Sequence, residues 1–219
     1  MPGLGPLIPM RARQAGAVLV IASVQFIAAM IAVQLRYPGY SDFTNYISDL
    51  GGAHSPWAVV FNASVIVLGL LTILGAYLLL SAFNRKFSRT LGLGFLAIAG
   101  IGAILVGIFP ETTTVLHGKM HGIAADIAFI ASGLALINLP GAMLRDTRWD
   151  GYRAFTFFLG VITLVAIVLY SGGIWGPLGA GGMERVIVAP ILLWSIVAGL
   201  HLLTLPTYDK PPVPHSPSD

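Results

Sequence analysis

Two histidines four residues apart, His117 and His121, come closest in this 219-residue chain to a metal-binding pattern. On a helix they would lie about 40° apart around the axis and share a face, a spacing that lets two imidazoles hold one ion. A third ligand would still be needed. Asp126 would stand about 140° from His121 and about 180° from His117, so the ligand would have to come from Asp49, His54, Glu111 or Glu184 on other segments. The chain has no cysteine, which excludes thiolate sites, iron–sulfur clusters, disulfides and a cysteine nucleophile. Paired histidines bonded to loop groups are the plainer reading, and neither a metal nor a cofactor is expected.

A second chemistry is conceivable around the same residues. His121 could act as a general base with Asp49 orienting it and Ser48 as nucleophile, provided all three come within hydrogen-bond reach. No G-x-S-x-G elbow or H-E-x-x-H run supports it. A third possibility rests on Asp126 alone, which falls about 15 Å into a hydrophobic stretch if the helix starts near residue 116. An acid at that depth is costly and by default a functional residue, with Gln25 and Asn62 as candidate partners. It would suit a proton- or ion-coupled transporter, although no inverted repeat accompanies it.

The elements that must position these residues are membrane spans. Only 10% of residues are charged and 56% are hydrophobic, against about 25% charged in a soluble domain, and the mean hydropathy is +0.85. Crossing ~30 Å of hydrocarbon takes about 20 apolar residues. Six stretches qualify, at about 15–35, 57–83, 91–109, 116–139, 154–170 and 186–205. The fold expected is an all-α six-helix bundle spanning residues 15–205, with proline-rich tails at 1–14 and 206–219. Rows of small residues, Ala99-Ala103-Gly107 and Ala124-Ala128-Ser132, suit close helix packing in lipid.

Charge then orients the bundle. Arg11, Arg13, Arg85, Lys86, Arg89, Arg145, Arg148, Arg153 and Lys210 fall on one side, and only Arg36, Lys119 and Arg185 on the other. The positive-inside rule puts both termini in the cytoplasm, with the cell membrane the expected location. This asymmetry accounts for the basic balance and argues against nucleic acid as a partner. The opposite, extracytoplasmic face collects Asp42, Asp49, His54, Glu111, His117, His121, Glu184 and Arg185. Its longest loop, Arg36 to Pro56, carries Tyr37, Tyr40, Phe43 and Tyr46, aromatics that settle at headgroup level, and could fold back over the bundle as a lid.

Within that loop, Tyr46-Ile-Ser-Asp-Leu-Gly51 is followed by Pro56 and by Phe61-Asn62 opening a helix. Later, Gly107-Ile-Phe-Pro-Glu111 precedes His121 and a helix with Phe129 and Gly133. With six passes, these motifs resemble the prokaryotic membrane family called domain of unknown function 998, over about residues 15–205. More distantly they are similar to the eukaryotic Frag/DRAM family. The resemblance marks Ser48, Asp49, Gly51, Asn62, Glu111 and His121 as family-like positions, and leaves His117 and Asp126 outside the pattern. Through the distant relatives it points loosely to lipids. The function expected is thus the binding or organising of a lipid or lipid-like headgroup in a polar extracytoplasmic pocket of Ser48, Asp49, His54, Asn62, Glu111, His117, His121, Glu184 and Arg185. A membrane-embedded lipid hydrolase or acyl transferase and the Asp126 transporter are the alternatives, and a homo-oligomer is compatible with six passes per chain.

Overall fold

The computed structural model describes residues 7–84 and 86–208. Six long helices dominate it: α1 (Met10–Gln34), α2 (Ala58–Leu79), α3 (Lys86–Ile108), α4 (Met120–Ala142), α5 (Tyr152–Ser171) and α6 (Gly179–Thr204). All six are long enough to cross a bilayer, and each contains an 18-residue window of mean hydropathy between 1.8 and 2.4. The chain is an all-α, six-helix, multi-pass membrane protein.

Helices adjacent in sequence pack side by side around a ring, and α6 closes it against α1. An even number of passes returns the chain to its starting side. There Ile8–Pro9 (β1) pairs in parallel with Thr207–Tyr208 (β2), and the Ile8 amide donates to the Pro206 carbonyl at 2.9 Å. This is the terminal end of the bundle. The opposite, loop end is built from residues 35–57, 109–119 and 172–178.

Local backbone chemistry moves several helix ends away from where hydropathy alone puts them. α1 starts at Met10, directly after Pro9, so residues 10–14 are helical rather than part of a tail. The rest of the expected tails, residues 1–6 and 209–219, lies outside the described residues. α4 starts at Met120 and not at 116, because Leu116, His117 and Gly118 take left-handed φ values of 51°, 55° and 83°. Three such residues in a row cannot belong to a right-handed helix. α6 begins at Gly179 rather than 186: its first turn reads Gly-Ala-Gly-Gly, too weakly apolar for a hydropathy reading to detect.

Two glycines allow the ring to close. A Cβ on Gly16 of α1 would sit 2.6 Å from the Gly199 carbonyl oxygen of α6, and one on Gly199 would sit 2.7 Å from that of Gly16. The backbones touch directly, the contact small residues make possible in lipid. Below this crossing the terminal end is solid. Trp149 is buried and stacks on Phe83 at 5.0 Å, and Tyr152 stacks on His201 at 4.2 Å. His201 Nε2 lies 2.6 Å from the Arg148 carbonyl, while the Arg148 guanidinium grips Asp146 at 2.6 Å and donates to the Ala82 carbonyl at 2.9 Å. Burial pushes the Asp146 carboxyl up, but the hydrogen bonds and charge of Arg148 outweigh it and hold the group below the usual carboxylate range.

Inserting a branched side chain at the α1–α6 crossing is expected to force these helices apart. Gly199→Val should destabilise the protein by about 1–3 kcal/mol, seen as a lower midpoint of thermal unfolding in detergent. Gly94→Ala, at a helical glycine with nothing within 4 Å of its Cβ position, should hold the midpoint or raise it slightly, since alanine is the better helix former.

Candidate functional site at the loop end

The first loop does fold over the bundle, and α6 holds it there. Ile47 and Leu50 are buried, and Leu50 sits within a short 3-10 turn, Ser48–Gly51, that directly follows Ile47. The Ile47 amide donates to Glu184 Oε2 at 2.5 Å, a bond between residues 137 apart in sequence. Arg185, the next residue on α6, turns the other way. Its guanidinium donates to the carbonyls of Asp42, Asn45 and Gly181 at 3.0, 3.1 and 2.9 Å, and to the Tyr40 hydroxyl at 2.6 Å. It also pairs with the Asp42 carboxylate at 2.6 Å. Tyr40 passes the chain on by donating to the Tyr46 carbonyl at 2.8 Å. The glycines of the first turn of α6 make this docking possible, since a Cβ on Gly181 would collide with the Asn45 carbonyl.

Within the loop, Asp49 is a structural acceptor. Its Oδ2 takes the Asn45 side-chain amide at 2.9 Å and the Tyr46 amide at 3.0 Å. Asn62, near the start of α2, donates to the Gly51 carbonyl at 3.0 Å and so ties the far end of the turn.

Beneath the loop the ring leaves a partly open cavity of about 120 Å³. Ser48, His121 and Glu184 line one end of it. Its walls are apolar and largely small: Ala99, Ala103, Ala125 and Ala128, with Phe26, Phe61, Val65, Phe129 and Leu192. It reaches Thr72, Ser132 and Ser195, each eleven residues further along its helix than Phe61, His121 and Glu184, a depth of about 16 Å at the helical rise. The small-residue rows therefore do two jobs. Ala128 backs against Gly102 of α3, yet Ala99, Ala103, Ala128 and Ser132 also face the cavity and leave it room.

At the polar end, His121 Nδ1 lies 2.9 Å from the Phe109 carbonyl oxygen. A carbonyl only accepts, so Nδ1 carries a proton, and in the neutral form of the ring Nε2 is the nitrogen with the lone pair. Glu111 stands at the exposed rim beside Asp49 and Ser48. Partial desolvation, then the hydrogen bond to and charge of Asp49, push its carboxyl up to about 7, with the Ser48 hydroxyl acting in the opposite sense. Glu184 of α6 and Tyr170 of α5 are also within electrostatic reach.

The structure thus brings together Ser48, Asp49, Glu111, His121 and Glu184, with Asn62 behind the turn. Other expected site residues lie apart. His54 is exposed, and so is His117, which precedes α4 in the left-handed turn; the two histidines never share a helical face. Among the described residues no three His, Asp or Glu side chains are placed to hold a metal ion. Arg185 faces the loop and not the cavity. Asp126 is six residues into α4, about 9 Å along it, and on its exposed side. Since His121 points inward, a residue five positions later points about 140° away. Gln25 donates instead to the carbonyls of Ala22 and Ser64, at 3.0 and 3.1 Å, so the Asp126–Gln25 pair does not form.

A family model matches residues 20–201, nearly the whole ring of helices. The chain belongs to the family Protein of unknown function (DUF998). No curated protein and no solved structure matches it. The DUF998 match spans both halves of the site, from the first-loop turn to Glu184 on α6. Two of its structural devices escape a reading by residue type. The Phe109 carbonyl that fixes His121 is backbone, and the Gly179–Gly182 platform looks like a loop; only the spacing of its glycines hints at a close approach.

The raised Glu111 carboxyl has a consequence for stability. A carboxyl that holds its proton more tightly in the folded state than its ordinary 4.5 stabilises the fold at low pH, and that contribution is lost as pH rises through about 7. Glu111→Gln is expected to remove this dependence. The wild-type unfolding midpoint should fall between pH 5 and pH 8 by more than that of the variant; parallel pH profiles would show that Glu111 carries no such strain.

Proposed function

We propose that this protein binds a lipid-like amphipath, with an apolar chain in the bundle cavity and a polar head beneath the first loop. The observation that carries the reading is the polarity gradient of the cavity, from Ser48, His121 and Glu184 at one end to an alanine- and phenylalanine-lined interior. Apolar cavities take apolar occupants in preference to water, and binding sites pair an apolar wall with a few convergent polar groups. The excess of arginine and lysine at the terminal end supports an extracytoplasmic loop end, and on that orientation the head would come from the outer leaflet of the cell membrane.

Filling the cavity tests this directly. Ala128→Leu should lower the lipid retained by the purified protein several-fold in native mass spectrometry, while the helical content stays as in wild type. The same lipid at unchanged occupancy would place its binding elsewhere.

One observation favours a catalytic version of the site: His121 Nε2 carries a lone pair and its ring lines the same end of the cavity as Ser48. Asp49 does not orient this histidine, being engaged by Asn45 and Tyr46, so a serine–histidine pair would work with a backbone carbonyl in the orienting place. Such a pair should label with a fluorophosphonate probe, and Ser48→Ala should abolish the label. A label that survives the substitution rules out Ser48 as the nucleophile.

A further inference from the structure

Resting on that reading of the cavity, we infer that the head it receives is a cation, an ammonium group carried on a single hydrocarbon chain. The inventory of donors and acceptors at the polar end points there. Glu184 is only 6% exposed. One carboxyl oxygen, Oε2, holds the Ile47 amide; the other, Oε1, has no hydrogen-bond partner among the described residues, and the side chain lines the cavity. A buried carboxylate left half-satisfied is costly, and an ammonium ion brought against it supplies both the missing hydrogen bond and the opposite charge.

The neighbours select in the same direction. His121 has its Nδ1 proton on the Phe109 carbonyl and turns an acceptor, Nε2, to the remaining space. The Ser48 hydroxyl lies beside the Glu111 carboxyl, and its oxygen has lone pairs to accept with. Asp49, and Glu111 in its ionised form, add negative charge within electrostatic reach of Glu184. The basic side chain beside them, Arg185, has both terminal guanidinium nitrogens bonded already, to Asp42, Tyr40 and the Asn45 carbonyl of the first loop and to the Gly181 carbonyl of α6. A phosphate or carboxylate head would meet acceptors and negative charge; an ammonium would meet complementary groups on every side. A cavity of about 120 Å³ has no room for a pair of chains.

The test uses the 219-residue protein in digitonin micelles with radiolabelled dodecylamine, a protonated N–H donor at neutral pH, with unlabelled dodecylamine, dodecanol and dodecanoate as competitors and empty micelles as background. The expected result is saturable binding, competition by dodecylamine, and competition by dodecanol and dodecanoate at least about tenfold weaker. Glu184→Gln, which keeps an acceptor for the Ile47 amide, should lower affinity for the cation by about tenfold or more and leave dodecanol where it was. Glu111→Gln at the rim should act in the same sense with a smaller effect, and the competition series on the wild type decides the matter if the Glu184 variant does not fold. Dodecanol competing as well as the cation, or dodecanoate competing better, would overturn the cation assignment while leaving chain binding in place. No saturable binding of any twelve-carbon probe, with Ala128→Leu indistinguishable from wild type, would remove the chain-binding reading itself.

Discussion

The buried bond from the Ile47 amide to Glu184 is the constraint on which the loop end depends. Without it a carboxyl of α6 and a backbone amide of the first loop would both be stranded away from water, each an expensive loss in a low-dielectric setting. With it, Ile47 and Leu50 are buried against the bundle, and the 3-10 turn that contains Leu50 sets Ser48 over the cavity and Asp49 beside Glu111. Arg185 reinforces the clasp from the other face of the helix. Its guanidinium is a fixed fork, and the first loop supplies carbonyls, a hydroxyl and a carboxylate to its two terminal nitrogens. Two adjacent charged residues that look like a simple pair are thus divided between an inward and an outward task.

The two ends of the ring contrast in packing. At the terminal end, large aromatic side chains fill the space: Trp149, Phe83, Trp194 and Tyr152 interlock, and the polar atoms among them are matched, as where Trp194 Nε1 donates to Thr156 Oγ1 at 3.1 Å. Towards the loop end the facing residues shrink to Ala99, Gly100, Ala103, Ala125 and Ala128. Small residues normally draw helices together until backbones touch, as at Gly16 and Gly199. Around a six-membered ring they cannot all do so at once, because each helix is already held by two neighbours. The remaining room becomes the cavity. The solid end fixes the ring, and the open end is free to carry a site.

Comparing expectation with outcome at single residues shows where the information lay. Ser48, Asp49, Glu111, His121 and Glu184 were legible as a group because each falls near a span boundary at the same end of the bundle. His117 misled because a helical spacing was read across residues that the chain uses for a left-handed turn. Asp126 misled because depth in the membrane says nothing of rotation about the helix axis. The Gly179–Gly182 platform was missed because hydropathy scores glycine as nearly neutral, while its use here is to let the backbone of residues 42–45 lie on the helix.

The sequence by itself determined six membrane passes, ends that share one side, and polar residues gathered at the opposite end. Those properties follow from transfer free energies that add up along a window of about 20 residues and need no knowledge of neighbours. Which face of each helix looks inward was decided only by the tertiary structure. A helix apolar nearly all round carries no stripe to declare its inner face. Its rotation is set by which small residues meet, which carbonyl fixes His121, and which oxygen of Glu184 finds the Ile47 amide. The cavity belongs to the same class of fact, since it is the space left when six packed helices have satisfied one another.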